Sequence, residues 1–296
     1  MDPQTFGFSA LGAFAVAPIL RIQTILQTQD LIPSLRGGRN MKGAIDCFQR
    51  IRKEEGARYL WRGTVPLLCI KLLHGLFEFM RVADYKETIT EIDESTEKAG
   101  ENAEHKKTVV TEIELFNQTD PNENPLAGPG VPLSVFVLFA GLFIHPFEVL
   151  RTRLAADYGA KPVRQYTGVF NAANSLVKAG GIKALYRGYI PLITFSIIEE
   201  NTNNFTSAEY NEDLPIKQFT RDLLLFPLIV VSNRLIMQTG NPFGKYKGVV
   251  DCVQSTYKEF GIRGFYRGFQ INFALYALSA STYLIAEGLK KFTGEN

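Results

Sequence analysis

The chain alternates long apolar stretches with shorter polar ones. Six apolar stretches, near residues 6–29, 64–85, 131–156, 189–207, 216–238 and 269–290, each run for about 19 to 26 residues, the helix length that crosses a hydrocarbon core of about 30 Å. None is apolar throughout. Pro18, Pro146 and Pro227 sit near the middle of the first, third and fifth stretches, and polar residues follow each proline. That pattern suits helices packed around a polar interior rather than helices facing lipid on all sides. A soluble array would need a polar face along every long helix, and "LSVFVLFAGLFI" and "LLLFPLIVVS" have none. After the first, third and fifth stretches come short segments, "AIDCFQRIRKEEG", "VFNAANSLVKAGG" and "VVDCVQSTYKEFG", that read as amphipathic helices.

The pattern is threefold because the sequence is. "MKGAIDC" (Gly43), "YTGVFNA" (Gly168) and "YKGVVDC" (Gly248) correspond, as do Gly56, Gly181 and Gly261, and as do the glycines closing "YLWRG" (Gly63), "LYRG" (Gly188) and "FYRG" (Gly268). All three sets keep the same offsets of 125 and 80 residues, and the prolines keep 128 and 81. Self-similarity at fixed spacing is the mark of repeated structural units. The domain reading is repeat one at 1–86, a connector at 87–130, repeat two at 131–210 and repeat three at 211–296.

Charge orients this arrangement. The segments holding the short helices (31–63, 157–187 and 239–267) carry 8, 5 and 5 Lys+Arg against 3, 1 and 2 Asp+Glu, whereas 86–130 carries 4 against 11. Basic loops on one side and an acidic connector on the other follow the positive-inside rule and put both termini of six spans on the acidic side. A net charge of +2 gives no basic footprint for nucleic acid. Cys47, Cys69 and Cys252 form neither a CxxC pair nor an even set, and His74, His105 and His145 are scattered, so no metal site, disulfide framework or nucleophile–base pair is expected. No cofactor and no enzymatic activity are expected. Asp2 stands in an N-terminus without a basic run, so no cleavable leader is expected there.

Three repeats, a Pro-x-acid-x-x-base element on the odd helices and an aromatic-base-Gly element before the even ones resemble the mitochondrial carrier family. The resemblance covers nearly all of the chain outside 87–130, and its flavour is that of ADP/ATP carriers through "APILRIQTILQTQ", "RTRLAADYG" and "NRLIMQTG". It implies an all-α membrane protein: six transmembrane helices in three pseudo-threefold repeats, with short amphipathic helices on the matrix side. It also implies the mitochondrial inner membrane, with termini facing the intermembrane space.

In such carriers the odd-helix acids and bases pair between repeats and close the matrix end. Here only Glu148 and Arg151 remain. Leu20 and Gln23 replace the pair in repeat one, and Ile229 and Ser232 replace it in repeat three. Glu148 and Arg151 are three residues apart on one helix and can pair with each other. The opposite gate reads Asp84 with Glu87, Glu209 with Glu212, and Glu287 with Lys290. Phe77-Glu78-Phe79-Met80-Arg81 matches the same string a turn and a half early. For substrate, Lys71 and Arg234 are the candidate cavity cations, with Glu199 and Glu200 opposing them. Ser232-Asn233-Arg234-Leu235-Ile236-Met237 stands where ADP/ATP carriers have three arginines and three methionines. That is a poor site for a tetra-anion.

The resemblance further implies cardiolipin binding at helix N-termini, through Gly43, Tyr166 with Gly168, Tyr246 with Gly248, and the triads Trp61-Arg62-Gly63, Tyr186-Arg187-Gly188 and Tyr266-Arg267-Gly268. The other reading is that these glycines merely turn the chain. The connector is polar and acidic, with one strand-like alternation in "VVTEIELF", and is the expected contact for protein partners. Two functions stay open. One is a non-transporting accessory or structural subunit of an inner-membrane complex. The other is an active but divergent solute carrier.

Overall fold

The computed structural model of the protein describes residues 3–35, 40–77, 79–80, 133–159, 164–207, 215–239, 245–273 and 276. All regular structure in them is helical. Repeat one contributes α1 (Pro3–Thr28), α2 (Ala44–Arg50) and α3 (64–77). Repeat two contributes α4 (Leu133–Ala156), α5 (Val169–Gly180) and α6 (Tyr189–Ser207). Repeat three contributes α7 (Pro215–Met237), α8 (Val249–Phe260) and a helical start at 269–273. The connector 87–130 lies outside the described residues.

α1, α4 and α7 pack pairwise on one another. Their C-terminal halves converge, and the largest apolar cluster lies there, with Ile25, Ile32, Ile51, Leu235 and Tyr246 among its members. Among the described residues no helix is long and apolar enough to cross a membrane, a difference from the six spans expected. The odd helices carry polar cargo, and several residues of the expected spans, most of the sixth among them, lie outside the described residues. Arg21 and Gln27 in α1, Arg153 in α4 and Arg234 in α7 are all buried against other helices. They lower the apolar content of the helix without meeting the surroundings.

The prolines explain one half of the aromatic-Arg-Gly element. A proline inside a helix has no N–H for the carbonyl four residues earlier. The orphaned carbonyls belong to Phe14 and Leu142, and an aromatic from the same repeat caps each. Trp61 Nε1 donates to Phe14 O at 3.0 Å, and Tyr186 OH donates to Leu142 O at 3.1 Å. In repeat three Tyr266 stacks on Phe226 instead.

The glycine explains the other half. Gly63, Gly188 and Gly268 all have positive φ (94°, 85° and 83°), which L side chains rarely adopt. A Cβ on each would meet the backbone of an odd helix of another repeat. It would lie 3.2 Å from Arg151 O, 2.7 Å from Ser232 O and 3.3 Å from Gln23 O. The chain therefore turns into each even helix against the next repeat's gate position.

Candidate functional site

Arg151 Nε donates to the Glu148 carboxylate at 2.7 Å, three residues apart on α4. The pair expected as a gate remnant is closed within one helix. The neutral residues at the corresponding positions of the other repeats have their own contacts. Gln23 Nε2 donates to Asn272 Oδ1 at 2.6 Å, Ser232 Oγ donates to Gly188 O at 2.8 Å, and Leu20 packs beside Ala13, Ala17 and Leu67. Losing one member of a buried pair costs about 3–5 kcal/mol, whereas replacing both members is nearly neutral.

What holds the convergent end together lies beside these positions, at the residues after Arg151 and Ser232 and one turn beyond Gln23. Asn233 Nδ2 donates to Gln27 Oε1 at 2.6 Å, and Thr152 Oγ1 donates to Asn233 Oδ1 at 3.1 Å. All three side chains are buried, and together they join α1, α4 and α7.

Buried arginines surround this neutral centre. Arg21 donates to Glu55 Oε2 at 2.7 Å, to Ala155 O at 3.1 Å and to Tyr59 O. Glu55 can reach it because α2 widens into a π turn at Ile51–Glu55. Arg234 grips Asp30 through two hydrogen bonds of 2.9 and 2.6 Å and donates to Tyr246 OH at 2.5 Å. Arg62 is tied to Asp157 and to Tyr166 O, and Arg267 lies 3.5 Å from Asp30.

The repeats substitute here in matched sets. Arg153 donates to Tyr166 OH at 2.6 Å, as Arg234 does to Tyr246. The repeat offsets put Ile25 and Met41 at the corresponding places of repeat one, both buried in one apolar cluster. Gln29, Asp157 and Gln238 correspond too. Their side-chain oxygens accept from the backbone N–H of Met41 (2.7 Å), Tyr166 (3.1 Å) and Tyr246 (2.6 Å). Asp46, Asn171 and Asp251 likewise accept from the N–H of Lys42, Thr167 and Lys247 before each short helix.

Several expected site residues make contacts inside the protein. Arg234, expected in the cavity, is 0% exposed and is held by Asp30, Tyr246 and the Gln27 carbonyl. Arg62 and Arg267, expected at lipid sites, turn inward to Asp157 and Asp30, and Arg187 turns inward to Tyr246 O at 3.4 Å. The rings of Tyr166 and Tyr246 are buried and serve Arg153 and Arg234. Lys71 is exposed and lies off the apolar stripe of Val65, Leu72 and Leu76 on α3. Glu199 has a cation that sequence reasoning missed, Arg221 at 3.5 Å, which in turn lies beside Asp222 at 3.2 Å. Asp84, Glu287 and Lys290, like Glu87, Glu209 and Glu212, lie outside the described residues, as does the side chain of Glu200.

The two glycine sets also part company. Gly63, Gly188 and Gly268 are held by φ and by close packing, so turning the chain accounts for them. Gly168 and Gly248 have extended φ near 180°, which any residue adopts, and a Cβ on either would meet nothing within 4 Å. Neither turn nor contact demands glycine there, and each begins a twelve-residue helix whose first N–H groups are uncapped by its own N-cap side chain. Cys47 and Cys252 lie under the short helices, where burial pushes their thiols up to about 12 and about 11. Thiols so far from ionisation are packing groups.

A threefold helical unit whose odd helices meet in a shared polar centre is the architecture of a carrier. The family model for mitochondrial carrier protein matches residues 7–93, 135–214 and 216–296, one match per repeat, and the chain belongs to that family. It is similar to an ADP,ATP carrier protein of Parachlorella kessleri, at 27% identity over 307 aligned positions covering 97% of this chain and 83% of the relative. It is similar to mitochondrial substrate carrier family protein ancA of Dictyostelium discoideum, at 27% identity over 94% of this chain and 88% of the relative. It is also similar to ADP/ATP translocase 2 of Bos taurus, at 25% identity over 96% of this chain and 94% of that one.

Proposed function

We propose that the chain is an accessory or structural carrier-fold subunit of a mitochondrial inner-membrane complex rather than an adenine-nucleotide exchanger. One observation carries this reading: the arginines that gate and phosphate binding would need are already spent inside the protein, Arg151 on Glu148 and Arg234 on Asp30. A tetra-anionic nucleotide needs several uncommitted cations. Membrane residence is supported by apolar residues at equivalent outer positions of the three short helices, with Ile45, Phe170 and Val250 exposed by 75%, 91% and 70%. Side chains of that kind rest on an interface between water and lipid. The bare N-termini at Gly168 and Gly248 suit cardiolipin phosphates, and the basic loops favour a matrix location for those ends with the termini opposite. The acidic connector is the surface offered to protein partners.

A second reading, a divergent carrier of another solute, has one observation in its favour. The Gln27–Asn233–Thr152 centre closes the convergent end with neutral hydrogen bonds, each worth only about 1 kcal/mol net. A substrate can tip such a balance if it binds the two states unequally. Purified protein in liposomes, assayed with labelled nucleotides and a panel of other solutes, separates the readings. Absence of saturable exchange is expected, and exchange abolished by Glu148→Gln with Arg151→Gln would defeat the accessory role. Mild-detergent extracts run on native gels should show the chain in a large assembly, and migration only as a free monomer would defeat it as well.

A further inference from the structure

The three seams of the convergent end are closed by different kinds of contact. Where repeat one meets repeat two, Arg62 holds the Asp157 carboxylate and the Tyr166 carbonyl, and a second layer is added to them. Tyr158 OH donates to Glu54 Oε2 at 2.7 Å and Gly159 N donates to Glu55 Oε1 at 2.6 Å. The Arg164 guanidinium stacks 3.5 Å from the centre of the Tyr59 ring. Where repeat three meets repeat one, Asp30 accepts two hydrogen bonds from Arg234, at 2.9 and 2.6 Å. It also lies 3.5 Å from Arg267 and 3.9 Å from Lys245. Acid–base pairs cross both seams.

The seam between repeats two and three is built differently. Thr152 meets Asn233, Ser232 donates to Gly188 O, Arg153 donates to Met237 O at 2.6 Å, and Arg187 donates to Tyr246 O at 3.4 Å. Among the described residues no acid–base pair crosses it at this end. The repeat offsets account for that. Asp157 corresponds to Gln238, Asp30 to Thr239, and Glu54, Glu55 and Tyr59 to Ala179, Gly180 and Ala184. Residues 157–187 contain a single acid, Asp157, and it faces repeat one. The acids of 239–267 are Asp251 and Glu259, which serve the Lys247 N–H and Lys245 within their own repeat. Glu148 is closed on Arg151. The opposite end of the same seam does carry charge, because Arg221 of α7 lies 3.5 Å from Glu199 of α6.

Parting a buried acid–base pair leaves two charges uncompensated. Parting a neutral hydrogen bond costs far less once water takes its place. We infer that the convergent end opens along one line, the seam between repeats two and three, while the other two seams stay joined. The bundle opens as a clasp, held at the far end by α6 and α7, rather than as a threefold iris. This goes beyond both readings of the protein's function and rests on neither.

Lys53, Lys178 and Lys258 are equivalent by repeat offset and are all exposed, so nitroxide labels placed there report the three seams alike. The full chain in nanodiscs is labelled in pairs at these positions, through bio-orthogonal residues that spare the cysteines, and measured by double electron–electron resonance. The Lys53–Lys178 and Lys53–Lys258 pairs should each give one narrow distance. The Lys178–Lys258 pair should be the broadest and carry a second, longer component. Gln238→Asp gives Arg187 the kind of carboxylate that Arg62 has in Asp157. The new carboxylate can still accept from the Tyr246 N–H, as that of Asp157 does from Tyr166. This variant should lose the longer component and leave the other two pairs unchanged. Three equal widths, or a broadest pair other than Lys178–Lys258, overturn the proposal. So does a Gln238→Asp variant whose Lys178–Lys258 distances match the parent's.

Discussion

Two sets of side chains at the convergent end of the odd helices handle charge in different ways. The set at Leu20, Gln23, Glu148, Arg151, Ile229 and Ser232 has its charges at Glu148 and Arg151, used up in an ion pair inside a single helix. Beside it Gln27, Thr152 and Asn233 tie the three helices to one another without any charge. The first set leaves neither charge without a partner. The second holds because one asparagine donates to one neighbour and accepts from the other. The link between repeats at this level is neutral, braced from outside by Arg21, Arg62 and Arg234.

The largest expected effect comes from breaking that brace. Arg21→Met removes the nearer cation of the fully buried Glu55 carboxylate, which keeps the Gly159 N–H and Arg164 at 3.7 Å. It should cost about 3 kcal/mol of stability, the low end for a broken buried pair, seen as a lower unfolding midpoint in detergent. A loss below about 1 kcal/mol would show that the brace contributes little. Asn233→Leu should cost about 1–3 kcal/mol, because Gln27 and Thr152 are then left buried without their partner. The same substitution at an exposed polar site should cost a few tenths at most, and equal costs at both places would remove the distinction between the two sets. At the gate the comparison runs the other way. Glu148→Gln with Arg151→Gln should cost under about 1 kcal/mol, and a double-mutant cycle should return a coupling of about 0.5–1 kcal/mol. A larger coupling would mean that the pair still acts as a latch.

The smallest effect is a pH dependence at the start of α2. The Lys42 backbone N–H, with help from Arg50, holds the Asp46 carboxyl below its ordinary value. A carboxyl depressed in the folded state contributes above its unfolded pKa, and that contribution is lost as pH falls through the folded one. Asp46→Asn should therefore flatten the acid side of the stability profile slightly and change little at neutral pH, since Asn171 already fills the same role in repeat two. A titration from pH 6 to about pH 3 checks it.

Periodicity carried the architecture well. The span expected at 131–156 is α4 at Leu133–Ala156, 189–207 is α6 at Tyr189–Ser207, and 216–238 is α7 at Pro215–Met237. The self-pairing of Glu148 with Arg151 was legible because it is local. The other contacts were not, for two physical reasons. Arg21 corresponds to Val149 and Val230, so no triplet comparison singles it out, and its partner Glu55 comes into reach only through a π turn. Arg234 looked like a leftover cavity cation because Asp30, which neutralises it, lies 204 residues away. Arg221 escaped notice because its counterparts, Gly12 and Ala140, are small and uncharged. Repeats reveal what they share, and this chain's polar centre is built from what they do not.

The caps on the proline-freed carbonyls have a mechanical consequence. Trp61 and Tyr186 fasten the bend of α1 and of α4 to the mouth of the following helix, so neither bend can straighten while that helix stays in place. Each works as a pinned hinge, whose angle is coupled to the swing of a neighbouring strut. The third bend, at Pro227, has a stacked ring in place of a pin, and stacking tolerates sliding where a hydrogen bond does not. The collar thus has two stiff joints and one slack joint. Any motion of the convergent end should begin in repeat three.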